Sequence, residues 1–161
     1  MQITRAADYA VRVAVHLATV PATTPVPGPV LARAVEAPQS FMSKLLQQLV
    51  QAGVLNSRRG VRGGFQLARA AANISLLEVV EAIEGPTQLN ACIPEGPNCS
   101  RKQWCGAHPV FVQAQAALVM VLKEASIAQL ARDSLSQMAM SDRAVPESGA
   151  ANLNSWQRTG G

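Results

Sequence analysis

The stretch VLNSRRGVRGGFQLA, residues 54–68, constrains the fold most. Two short apolar segments, Val54-Leu55 and Phe65-Gln66-Leu67, flank a tip containing Gly60, Gly63 and Gly64. Glycines supply the positive φ values that a tight turn between strands needs. The spacing predicts a β-hairpin from which Arg58, Arg59 and Arg62 protrude. The preceding segment gives that hairpin its meaning. Residues 30–36 predict a short helix carrying Leu31 and Val35 inward, broken at Ala37-Pro38. PQSFMSKLLQQLVQAG, residues 38–53, predicts a second helix with Phe41, Leu45, Leu46, Leu49 and Val50 as its apolar stripe. Pro38 or Ser40 suits its start, and Gly53 suits the left-handed position past its end. Two short helices across a tight turn, the second with a polar N-terminal face, make the helix-turn-helix pattern. A basic hairpin directly behind such a pair is a wing. An isolated arginine run is usually a solvated loop, but this position assigns it to phosphates or a narrow minor groove. Base reading is expected from Gln39, Ser40, Ser43 and Lys44.

The second constraint is CIPEGPNCSRKQWCGAH, residues 92–108, which holds every cysteine of the chain: Cys92, Cys99 and Cys105. Pro94, Gly96, Pro97, Asn98 and Gly106 favour turns and oppose regular structure. A loop of this kind can fold back and converge three thiolates, which select iron–sulfur clusters, zinc or Cu(I) over hard cations. Three unrelated buried thiols are the alternative, yet a polar, Pro/Gly-rich loop is a poor place for buried apolar residues. A disulfide is disfavoured by the odd count, and no secretory leader is apparent, so a reducing, cytoplasmic compartment is expected.

Around these two features the rest falls into order. Residues 3–20 predict a helix capped by Thr4, burying Ala6, Tyr9, Ala10, Val13, Leu17 and Val20 and stopped by Pro21. Asp8 lies in its first turns, where a carboxylate suits the helix N-terminus. His16, mid-helix, reads as structural. Ser75 and Glu78 form a capping box for a helix burying Leu76, Val79, Val80 and Ile83, ended by Gly85-Pro86. Phe111, Ala114, Leu118, Val121, Ala125 and Ala128 mark one long helix over 109–133, spanning roughly 35 Å. A small winged domain alone cannot bury so long a stripe, so a partner copy is expected on it, with an intramolecular core helix as the alternative. Residues 134–161 lose periodicity and read as a disordered tail.

The fold expected is therefore mainly α with a small β-hairpin wing. A winged helix-turn-helix domain (1–84) leads to a cysteine loop (85–108), a long dimerisation helix (109–133) and the tail. Charge agrees. Residues 1–70 carry eight Lys/Arg against Asp8 and Glu36, while residues 71–161 carry six basic residues against eight acidic. A polyanion partner is thus expected for the first half only. No apolar run approaches the roughly eighteen residues of a membrane span. Few aromatics argue against a stacking platform for single strands.

The order of elements, MQITRAADYAVRVAVHLA, the helix pair, RRGVRGGFQLAR, ISLLEVVEAIEG and then three cysteines, closely resembles the IscR/NsrR/RirA family of bacterial winged-helix transcription regulators. The resemblance covers about residues 1–133. It implies a homodimer, often a repressor, binding a double-stranded DNA operator, with Ser40, Ser43 and Lys44 on the recognition helix. It also implies a two-iron or four-iron cluster, held by Cys92, Cys99 and Cys105, whose state (redox, nitric oxide or iron supply) alters operator affinity. Two fourth ligands stand open. His108 resembles the histidine of IscR-like two-iron sites. Asp8 resembles the carboxylate that in NsrR-like proteins reaches a four-iron cluster across the dimer. Rival classes remain: a structural zinc site of Cys92, Cys99, Cys105 and His108, a winged-helix regulator without metal, and an iron–sulfur protein that does not bind DNA. The chain lacks a ferredoxin's fourth cysteine, a nucleotide-binding Gly-rich loop and a Ser/His/Asp set, so an enzyme is not expected.

Overall fold

The computed structural model describes residues 3–60, 62–90, 92–93 and 99–144. Its first compact unit ends at Ala131 and its second begins at Arg132, inside the last helix. Helix α1 runs Arg5–Thr19, capped by Thr4, whose hydroxyl accepts from the Ala7 N–H at 3.4 Å. Its inward face is Ala7, Ala10, Val13, Ala14 and Leu17. Tyr9 and Val20, expected inside, form the half-buried margins of that face, as does Ala6.

Helices α2 (Gly28–Ala34) and α3 (Gln39–Gln51) are the helix-turn-helix pair. Here α2 starts two residues before the expected Val30, with Pro29 in its first turn, where its missing N–H is harmless. Pro38 is the N-cap of α3, and Ser40 makes no capping bond there. The inward residues of α3 are Met42, Leu45, Leu46 and Leu49, an i, i+3, i+4, i+7 set. Phe41, expected in that stripe, is instead 46% exposed, while Met42 is 2% exposed. One helical step of 100° rotates Phe41 to the edge, where its ring meets Tyr9 edge-on at 6.4 Å between centroids. At the other end Val54 N–H bonds Leu49 C=O and Gly53 N–H bonds Val50 C=O, with Gly53 at φ 70°. This is the Schellman arrangement, closed by the buried pair Leu49 and Val54.

Strands β1 (Leu55–Arg58) and β2 (Gly64–Leu67) pair antiparallel in the register Leu55↔Leu67 to Arg58↔Gly64. The wing is fastened to the loop before α2, because Val26 and Phe65 exchange both backbone hydrogen bonds at 2.9 Å. That close approach requires Gly64. A Cβ there would lie 2.5 Å from the Val26 carbonyl oxygen and 2.9 Å from the Pro27 nitrogen.

Helix α4 (Leu76–Glu84) opens with the expected capping box: Glu78 N–H donates to Ser75 Oγ, and Ser75 N–H donates to the Glu78 carboxylate at 2.8 Å. It buries Leu77, Val79 and Val80; Leu76 and Ile83 are half-buried, because α4 packs against α1 and α3 on one side and α5 on another. Buried residues of α1, α2, α3, β1, α4 and the start of the last helix meet in one core, including Val13, Leu31, Leu46, Leu55, Val79 and Ile127. Full burial of each such side chain contributes about 1.5–3 kcal/mol.

The single long helix expected over 109–133 is two helices, α5 (Ala107–Glu124) and α6 (Ile127–Ala144). Neither Gly nor Pro causes the break. Residues 74–76 pair with 125–127 through Leu76 N–H to Ala125 C=O at 2.7 Å and Ile127 N–H to Ile74 C=O at 2.9 Å. Ser126 then caps α6 by accepting from the Gln129 N–H at 3.2 Å. Residues 134–144, expected within a disordered tail, continue α6 as helix; residues 145–161 lie outside the described residues.

Candidate nucleic-acid interface and cysteine loop

With four residues of α3 buried in the core, its opposite face is left to solvent. Gln39, Ser40, Ser43 and Lys44 are all exposed there. Sequence reasoning misses Gln47, one turn beyond Ser43 and also exposed. Its signal is available, since i+4 from Ser43 falls on the same face. No carboxylate stands in the first turn of α3, where a helix dipole favours negative charge.

Arg58 ends β1, and Arg59 and Arg62 stand in the tip; all three are exposed. Two other arginines of the same unit are ion-paired, Arg12 with Asp8 and Arg69 with Glu78. The Val26–Phe65 bridge holds the wing to the chain entering α2, so the wing and the polar face of α3 belong to one compact unit. Arg69 stiffens the base of the wing, donating to the Asn73 carbonyl at 2.9 Å and to Glu78 at 2.7 Å. The Ser75 backbone N–H, aided by Arg69, holds the Glu78 carboxyl below the ordinary carboxylate range.

All three cysteines are free thiols between α4 and α5; Cys99 is exposed, and Cys92 and Cys105 are half-buried. Residues 94–98 lie outside the described residues, and among the described residues no three His, Cys, Asp or Glu groups are gathered to hold a metal. The donor chemistry nevertheless suits a thiophilic centre. His108, in the first turn of α5, has an enclosed Nδ1 with no hydrogen-bond partner among the described residues. Its backbone N–H bonds the Cys105 carbonyl at 3.1 Å, which keeps the residue beside that cysteine. Asp8 is engaged elsewhere, paired with Arg12 one helical turn away at 2.9 Å with both side chains half-exposed. His16 is half-buried on α1 and its carbonyl accepts from Thr19, a structural setting.

On α5 only Leu122 is buried. Of the expected seam, Phe111, Ala114 and Val121 are exposed in the single chain, with Val110 exposed beside them, while Leu118, Ala125 and Ala128 are half-buried. Among the described residues no helix is long and apolar enough to cross a membrane.

Comparison with known proteins agrees with this arrangement. The Rrf2 family model, described as an iron-dependent transcriptional regulator, matches residues 3–133. An HTH-type transcriptional regulator of Mycobacterium tuberculosis is 32% identical over 135 residues, covering 84% of each chain. Another, from Synechocystis, is 38% identical over 84 residues, covering 52% of this chain and 57% of that one. Among solved structures, IscR of T. potens superposes with a TM-score of 0.66 at 20% identity, over 83% of this chain and 88% of that chain, a likeness of fold.

Proposed function

We propose, for a chain that belongs to the Rrf2 family of transcriptional regulators, a DNA-binding regulator whose grip on its operator is set by the state of the cysteine loop. The observation that carries this reading is that two exposed groups, the polar face of α3 and the arginines of the wing, lie in one compact unit joined by the Val26–Phe65 bridge. A helix of this kind enters the major groove, which is wide enough to admit it, and presents side chains to base edges. Gln39 and Gln47 suit adenine, Lys44 suits guanine, and Ser40 and Ser43 suit either. Arg58, Arg59 and Arg62 neutralise backbone phosphates, which fixes register and makes affinity fall with salt. The exposed apolar face of α5 (Val110, Phe111, Ala114, Val121) supports a homodimer, with two heads reading half-sites about one helical turn apart.

Cys92, Cys99 and Cys105 would hold an iron–sulfur cluster. His108 is the favoured fourth ligand, because its Nδ1 is enclosed and unsatisfied among the described residues, whereas Asp8 would have to leave Arg12. Such a cluster supplies a redox couple and a centre open to oxidants and nitric oxide. Held by Cys105 and His108, such a cluster would tie the loop to the first turn of α5, and its loss would free that turn.

Anaerobic purification and then a visible spectrum with iron and sulfide counts tests the cofactor directly. Brown protein is expected; colourless protein containing zinc would replace this centre with a structural Cys3His site. Replacing the three cysteines with alanine should leave a folded protein whose DNA affinity no longer responds to oxidant or iron. A triple variant that responds as the wild type does refutes the sensing role.

A further inference from the structure

We infer that Gln115 of α5 is a positioning residue that fixes the root of the cysteine loop and so sets where Cys92 stands relative to Cys105 and His108; this rests on the proposed sensing role of that loop. The chain leaving α4 has two backbone groups to satisfy, and one side chain satisfies both. Gln115 Nε2 donates to the Thr87 carbonyl, and Gln115 Oε1 accepts from the Leu89 N–H at 2.8 Å. From the other side, the Thr87 N–H donates to Glu81 of α4 at 2.9 Å, and Thr87 itself is 7% exposed. The root is therefore held by α4 and α5 together.

Directly beyond Leu89 the chain turns, the Ile93 N–H bonding the Asn90 carbonyl at 3.2 Å, and Cys92 lies inside that turn. Only two residues separate the clamped Leu89 amide from the first thiol. The other end of the loop meets the same helix face. His108 precedes Gln115 by seven residues, two turns, which puts the imidazole on the same side about 10 Å along the axis. Val112, Gln115 and Val119 on that side are half-buried and Leu122 is buried, whereas Val110, Ala114, Ala117 and Val121 opposite are exposed. One face of α5 thus carries both the clamp at the start of the loop and the candidate ligand at its end. The task needs one atom that donates and another that accepts, and a side-chain amide supplies both at any pH.

The test uses the full chain, reduced and metal-free, with Gln115→Ala and Gln115→Glu. Hydrogen exchange at the Leu89 amide and alkylation rates of each cysteine, read by mass spectrometry, report the root and the thiols separately. Gln115→Ala should speed Leu89 exchange and Cys92 alkylation by about fivefold for each of the two net hydrogen bonds lost, about 25-fold together, while exposed Cys99 stays unchanged. Gln115→Glu can accept from Leu89 but cannot donate to Thr87, so it should fall between. In anaerobically purified protein the same order should hold for the rate at which a chelator removes iron. Wild-type rates at Leu89 and Cys92 in Gln115→Ala would overturn the inference. So would a uniform rise at all three cysteines with a lowered melting temperature, which marks a general structural role. Iron-free wild-type protein would instead refute the sensing role and leave the exchange and alkylation arms to decide the clamp.

Discussion

Removing Arg58, Arg59 and Arg62 together should weaken duplex binding most at low salt and flatten the dependence of affinity on salt. The three side chains are exposed on the wing, so their charge is presented to a polyanion at the surface. Each phosphate neutralised adds about 0.9 to the slope of log affinity against log salt, so one wing contributes about 2.7. Between about 50 and 200 mM salt the wild type should therefore lose about 40-fold more affinity than the triple alanine variant, and two engaged wings would double the exponent. Fluorescence anisotropy with a labelled mixed-sequence duplex measures this without knowledge of the operator, because the effect is independent of sequence. Lys123→Ala, an exposed charge on α5, serves as the control and should leave the slope unchanged. Parallel lines for wild type and the triple variant would refute the assignment of the wing to phosphates.

Two further expectations concern how the wing is seated. Gly64→Ala drives a methyl group into the Val26–Pro27 backbone, which cannot rotate aside; a loss of about 2 kcal/mol in urea unfolding and weaker duplex binding are expected. An unchanged urea midpoint would show that the Val26–Phe65 bridge is dispensable. Glu78→Gln should destabilise the fold at neutral pH, since its carboxylate is held below the ordinary range by the Ser75 N–H and Arg69. A depressed carboxyl contributes stability above its unfolded value of 4.5 and loses it as pH falls through the lower folded one, so the gap between wild type and variant should narrow steadily below pH 4.5. A gap that persists there would assign the effect to shape rather than charge.

The elements that local chemistry decides are legible in the residues. Ser75 and Glu78 announce a helix start, Gly53 a helix end, and the glycine-rich arginine segment a hairpin, because each requirement is met within a few residues. Phe41 and Met42 exchange places because both are large and apolar, and only the phase of α3 against the core separates them. The break between α5 and α6 is illegible for a different reason. Ala125 and Ser126 carry no helix-breaking signal, and the bridge to residues 74–76 is made by backbone atoms far earlier in the chain. The same holds for Gln115, which in sequence is one more polar residue on a mainly apolar helix. The three cysteines disclose the donor chemistry through composition, while the contrast between an enclosed His108 nitrogen and an ion-paired Asp8 needs three dimensions.

The Gln115 amide holds α5 near its middle and the backbone bridge at Ala125–Ile127 holds it at its end; each ties it to α4 or to chain flanking α4. A rod secured at two points can neither slide nor roll against the head that bears α3. In the proposed dimer a second copy laid along its outer side would inherit that constraint, and the distance between the two α3 helices would be set by the thickness of the rods between them. Loosening one fastening would let that distance drift and blur the choice between operators with different half-site spacings.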